Sequence, residues 1–116
     1  ELGYNDYEYV LEKAARFGLE SLCCLAKERG AKKWDDMLHG AVYGGQKQMC
    51  KLAKKWGATG WDGMLKWATW VGDRSMCELA KKWGASNWDD MRTYATLNNR
   101  SDLVLLAIEW GKRAAD

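Results

Sequence analysis

Ten residues of this chain, Met76-Cys77-Glu78-Leu79-Ala80-Lys81-Lys82-Trp83-Gly84-Ala85, restate Met49-Cys50-Lys51-Leu52-Ala53-Lys54-Lys55-Trp56-Gly57-Ala58, placed 27 positions earlier. One further step back the text reads Leu22-Cys23-Cys24-Leu25-Ala26-Lys27-Glu28-Arg29-Gly30-Ala31, and one step forward it fades to Leu103-Val104-Leu105-Leu106-Ala107-Ile108-Glu109-Trp110-Gly111. A fixed period in the range of ~20–50 residues is the mark of stacked supersecondary units, none of which can bury its apolar face alone. The 116 residues therefore divide into repeats at about 5–31, 32–58, 59–85 and 86–111 of a single repeat domain. The expected core is thin and extended rather than round.

Each repeat reads as two short helices. In the second repeat, Trp34, Met37, Leu38 and Ala41 fall at i, i+3, i+4, i+7, which is one stripe of a helix A over Trp34–Tyr43. Gly44-Gly45 punctuates, and Met49, Leu52, Ala53 and Trp56 form the same stripe on a helix B from Gln46 to Trp56. Gly57 ends helix B as a glycine able to take positive φ. Gly18, Gly45 and Gly72 mark the turn between helices A and B, and Asn99 takes that column in the fourth repeat, the next-best residue for positive φ. Asn5…Glu8, Thr59…Asp62 and Ser86…Asp89 each place a capping residue three before an acid, so these carboxylates are expected at helix starts rather than in catalytic pairs. Lys32 replaces the cap in the second repeat, where only Asp35 remains.

Composition excludes several classes. The formal charge of +2, from 18 Lys and Arg against 16 Asp and Glu, offers little attraction for nucleic acid. No apolar run reaches the ~18 residues that span a bilayer, so no membrane partner is expected, and residues 1–7 carry no signal-peptide pattern. Cys23, Cys50 and Cys77 share one repeat column. Neighbouring repeats lie roughly 10 Å apart, beyond the ~7 Å a disulfide tolerates. Buried free thiols in a reducing, cytoplasmic compartment are the expectation. With one His in the chain, neither a metal site nor a cofactor is indicated, and no nucleophile, base and acid recur at matching intervals. The expected protein is not an enzyme.

The run Met37-Leu38-His39-Gly40-Ala41-Val42-Tyr43-Gly44-Gly45, followed by Met49, Leu52 and Gly57-Ala58, resembles an ankyrin repeat, whose pattern is Leu-His-x-Ala-Ala-x-x-Gly, a helix B with Val-x-x-Leu-Leu, and Gly-Ala. The resemblance spans nearly the whole chain. It implies an all-α fold, an α-α solenoid of four ankyrin-like helix pairs, eight helices in all. The ankyrin period is ~33 residues and includes a β-hairpin; a period of 27 leaves no room for long hairpins. Shortened arrays of this kind are familiar from large DNA viruses and some protists. A viral origin, with host cytoplasm or virion as location, is the expectation that comes with the resemblance.

Columns that recur build a stack, and columns that vary are free to recognise something. Tyr7, Trp34, Trp61 and Trp88 recur near the start of helix A, and Arg29, Trp56, Trp83 and Trp110 at the end of helix B. These ladders are expected to fill the grooves between repeats. The varying helix A columns read Lys13, Gly40, Trp67, Tyr94; Arg16, Tyr43, Trp70, Leu97; and Glu12, His39, Lys66, Thr93. Helix A lines the concave face of an ankyrin-like stack, so Tyr43, Trp67, Trp70 and Tyr94, edged by His39 and Lys66, are the candidate protein-binding residues. The leading function is a non-catalytic scaffold. Two alternatives stand beside it: an architectural subunit of a particle or large assembly, and a single-stranded nucleic-acid binder using the aromatic ladders. Leu105 and Ile108 replace the charged residues of earlier repeats, so the fourth unit is expected to be uncapped and covered by a partner, further repeats of a longer array, or another copy at the C-terminal end.

Overall fold

The computed structural model describes residues 4–115, with side chains placed for residues 6–113. Among them are eight α-helices and no strand: α1 (Tyr4–Arg16), α2 (Glu20–Glu28), α3 (Trp34–Tyr43), α4 (Lys47–Trp56), α5 (Trp61–Val71), α6 (Arg74–Trp83), α7 (Trp88–Leu97) and α8 (Ser101–Ala115). The odd helices are the A helices of the four repeats and the even ones their B helices. They form two compact units, Glu1–Gly60 and Trp61–Asp116, of two repeats each.

Both kinds of turn close with the same backbone device. At the A-to-B turn, Gly18, Gly45 and Gly72 take φ of +72, +68 and +83, and Asn99 takes +58 in their column. The next residue then donates its N–H back to an alanine carbonyl: Leu19 to Ala14, Gln46 to Ala41, Asp73 to Ala68, Arg100 to Ala95. This is the Schellman closure, which needs one residue at positive φ. At the ends of α2, α4 and α6, Ala31, Ala58 and Ala85 donate to Ala26, Ala53 and Ala80 in the same way. Each of these alanines is buried, so the Gly-Ala pairs serve both as stop signals and as core. The fourth repeat departs from this register: α8 runs on through Gly111, and no fifth helix A starts at Arg113.

In the first unit, α1 packs on α2 and α3 on α4, and the two pairs join mainly through α1 against α3. Leu11, Ala15, Met37, Leu38, Ala41 and Val42 are fully buried there. The close approach of these helices depends on Gly40 and Gly44. A Cβ at Gly40 would lie 2.2 Å from the Glu12 carbonyl oxygen, and one at Gly44 would lie 1.8 Å from that of Arg16. Two carbonyls one turn apart on α1 are thus seated on two glycines, Gly40 within α3 and Gly44 at its C-cap.

The second unit is built from α5 on α6 and α7 on α8, with a less extensive contact between α5 and α7. Tyr94 occupies the column of Gly40 and Asn98 that of Gly44, so α7 cannot come as near to α5. The Asn98 amide instead donates across the gap to the Trp70 carbonyl.

Three expectations are corrected. The acids of helix A do not form capping boxes; they reach into the following repeat. The Glu8 carboxylate accepts the backbone N–H groups of Lys32 and Lys33, Asp35 those of Thr59 and Gly60, and Asp62 those of Ser86 and Asn87. These N–H groups lead into a new helix and have no acceptor within it. The side-chain cap that does form at α7 is Asn87, accepting from the N–H of Asp90. The Asn5 side chain of the first expected box lies outside the described residues.

The aromatic ladders, secondly, close each repeat on itself rather than filling the groove to the next. Trp34 meets Trp56, Trp61 meets Trp83 and Trp88 meets Trp110, with centroids 5.4, 5.2 and 5.6 Å apart. In the first repeat the pair becomes Arg29 over Tyr7 at 6.0 Å. The column that spans repeats is lysine: Lys27 lies over the ring of Trp56 and Lys81 over that of Trp110. Lastly, the fourth repeat is polar along helix A. The column Leu11, Leu38, Leu65, all fully buried, ends in exposed Arg92, and the column Ala15, Val42, Thr69 ends in exposed Thr96. Leu97 at the end of α7, and Leu105 and Ile108 on the helix B side, stay apolar and exposed.

Candidate protein-binding surface

The candidate residues fall into two groups, one per unit. In the first unit His39 and Tyr43 lie one turn apart on α3, which brings their rings edge-on at 4.7 Å. His39 Nδ1 is 2.8 Å from Glu12 Oε2, on the preceding helix A. The imidazole therefore bonds across the joint between the first two repeats. Both side chains are part-exposed, so the pair orients the ring more than it stabilises the unit.

In the second unit Lys66, Trp67 and Trp70 come from α5, and Tyr94 from α7. Lys66 and Trp70 are one turn apart and flank the Tyr94 ring. The Lys66 ammonium lies 5.8 Å from its centroid, and the Trp70 indole meets it edge-on at 5.9 Å and 83°. Tyr94 reaches between them because it stands in the column where the first unit has glycine. Trp70 remains 48% exposed. Trp67 is placed differently. Its six-membered ring lies back over its own helix, 3.4 Å from where a Cβ of Gly63 would be, and it is half-buried. It fills the space left by that glycine, while Trp70 faces solvent.

Two residues of this surface were not singled out from the sequence. Leu97, in the column of Trp70, is exposed. Asn98 anchors the Trp70 backbone from a column reading Phe17, Gly44, Val71, Asn98. The signal was present in that column's disorder, since a position that tolerates Phe, Gly, Val and Asn is not packed alike in every repeat.

No family model, curated protein or solved structure matches this chain.

The remaining chemistry of the described residues is sparse. No cluster of three or more His, Cys, Asp or Glu is placed to hold a metal ion, and no helix is long and apolar enough to cross a membrane. No disulfide joins the cysteines; Cys23, Cys50 and Cys77 are buried and Cys24 is half-buried. Burial pushes the Cys23 and Cys77 thiols up to about 11, from an ordinary 9.0, which keeps them protonated and unreactive at neutral pH. Cys77 also contacts the Thr69 hydroxyl at 3.6 Å, and that hydroxyl donates to the Leu65 carbonyl.

Proposed function

We propose that this chain is a non-catalytic, ankyrin-like repeat scaffold that binds another protein through its helix A faces, with Trp70, Tyr94 and Lys66 as the principal anchor and His39 with Tyr43 as a second contact. The observation that carries this reading is the state of Trp70. Its indole is about half exposed, yet it is held edge-on by Tyr94 and backed by the Asn98 bond to its own carbonyl. A large aromatic that is already ordered loses little rotamer freedom on binding, which is why rigid Trp and Tyr dominate interface hot spots. The Lys66 ammonium at the rim favours a partner segment that sets an acidic group beside an apolar one. The resemblance to shortened arrays of large DNA viruses supports host cytoplasm or the virion as the setting, and the burial of Cys23, Cys50 and Cys77 as thiols supports a reducing one.

The test is capture of partners by the wild-type chain and by a Trp70→Ala, Tyr94→Ala double variant of unchanged helicity. Loss of the captured protein, corresponding to at least about 2 kcal/mol or roughly 30-fold in affinity, is expected. A double variant that retains every partner of the wild type refutes the assignment.

A further inference from the structure

Among the described residues, every acid of the second unit has a partner. Asp62 and Asp73 accept backbone N–H groups, Asp90 meets the Asn87 amide, and Glu78, Asp89, Asp102 and Glu109 pair with arginines. Lys66 has no carboxylate among them. Asp62 stands one turn before it on α5 and would be its ordinary i, i+4 partner, but that carboxylate accepts the N–H groups of Ser86 and Asn87. Thr93, which holds the column of Lys66 on α7, is neutral and turns its hydroxyl back to the Asp89 carbonyl. Lys66 lies instead against the Tyr94 ring, a contact that places the ammonium without neutralising it.

Trp70 follows Lys66 by one turn, ~6 Å along the helix axis. Its indole stays 48% exposed with Tyr94 of α7 already packed against it, so this surface lies on the flank of the second unit rather than at an end. It joins an unneutralised cation to an ordered apolar platform at a fixed separation. A partner meets both by carrying an acid and an apolar side chain on one face, ~6 Å apart. A helix does this with residues at i and i+4. An extended segment does it at i and i+2, ~6.8 Å apart. The described elements are all helices, however, so an extended segment finds no sheet edge to take up its backbone N–H and C=O groups. A helix satisfies those groups internally.

Resting on the assignment of Trp70, Tyr94 and Lys66 as the principal anchor, we infer that the partner presents an amphipathic helix: a carboxylate side chain meets the Lys66 ammonium, and an apolar side chain one turn away covers the Trp70 indole. The apolar contact supplies most of the affinity, because a buried tryptophan outweighs an exposed ion pair. The charge pair selects among partners by sign, since a helix that sets a cation beside Lys66 is repelled.

The test is selection from a display library of randomised segments of ~20 residues, long enough to form a helix alone, against the whole chain, with the Trp70→Ala, Tyr94→Ala double variant as counter-selection. Enriched segments should carry Asp or Glu one helical turn from Leu, Ile, Phe or Met. Selection on Lys66→Glu should replace that acid with Lys or Arg. For a segment enriched on the wild type, Lys66→Glu should lower affinity about 10-fold and Lys66→Arg should preserve it within about 3-fold. A proline at the segment's centre should lower affinity about 100-fold. Enrichment without an acid, an acid and apolar residue two apart, the same segments on Lys66→Glu, or a proline that costs nothing overturns the inference and leaves the anchor standing. If no segment is enriched on the wild type over the double variant, the anchor assignment falls, and the inference with it.

Discussion

Gly44→Ala isolates the close approach of α1 and α3 from every other role a glycine plays. Gly44 sits at φ −88 and ψ −3, a conformation any residue adopts, so backbone freedom does not require glycine there. On backbone grounds alone, alanine should stabilise the protein by about 0.4–1 kcal/mol by restricting the unfolded chain. Against this stands a Cβ 1.8 Å from the Arg16 carbonyl oxygen and 2.9 Å from the Arg16 Cα. Both are backbone atoms, so no side chain can swing aside and one helix must shift. Forced expansion of a packed contact costs about 1–3 kcal/mol, and here it would also disturb Leu11, Ala15 and Val42, which are fully buried. The net expectation is a loss of about 1–2 kcal/mol, read as a fall of about 0.5–1 M in the urea midpoint by far-ultraviolet circular dichroism. Gly45→Asn is the matched control. Its φ is +68, no atom lies within 4 Å of its Cβ, and Asn99 holds that column at +58, so its midpoint should move far less. A Gly44→Ala midpoint equal to or above wild type would show that α1 and α3 need not be close, and would remove the reason for glycine in this column.

Glu8→Ala should cost about 2–3 kcal/mol in a denaturant titration, because a buried carboxylate then leaves the N–H groups of Lys32 and Lys33 without their acceptor; Asp89→Ala, with its side chain in solvent, should leave dilute-protein stability within about 0.5 kcal/mol. Trp110→Ala should destabilise by about 3–5 kcal/mol, and by more than Trp34→Ala, since Trp110 is 7% exposed and Trp34 only half-buried; equal melting shifts would contradict that ordering. Raising the pH from 9 to 11 should lower stability. Cys23 and Cys77 ionise near 9.0 when unfolded and at about 11 when folded, so the unfolded chain holds fewer protons in that window and the stabilisation present below pH 9 is lost. Both thiols contribute to that loss, and Cys23→Ala with Cys77→Ala should flatten the alkaline limb. At neutral pH a thiol reagent should label Cys24 first and the three buried cysteines only on unfolding.

The periodic text of this chain determined its helices. A 27-residue period with stripes at i, i+3, i+4, i+7 leaves few other ways to bury Leu11, Leu38 and Leu65. Gly18, Gly45, Gly72 and Asn99 mark turns because positive φ is a local requirement, visible one residue at a time. The fate of the thiols was legible for a similar reason, since a disulfide has a strict span. What an exposed side chain touches was not legible. Trp34 and Trp56 stand 22 positions apart and could close their own repeat or pad the next, because the period alone does not say how far helix B leans. The helix A acids suit a capping box and a bridge to the next repeat equally well in sequence; they became bridges because the neighbouring repeat brings two orphan N–H groups within 3.2 Å of Glu8 and closer still to Asp35 and Asp62. Trp67 and Trp70 look alike as text, yet one lies over Gly63 and the other faces solvent. That difference arises from the direction in which each side chain leaves α5 and from the room Tyr94 makes by holding α7 away. Local geometry is written residue by residue, whereas the choice between two equally good neighbours belongs to the tertiary packing that decides which one arrives.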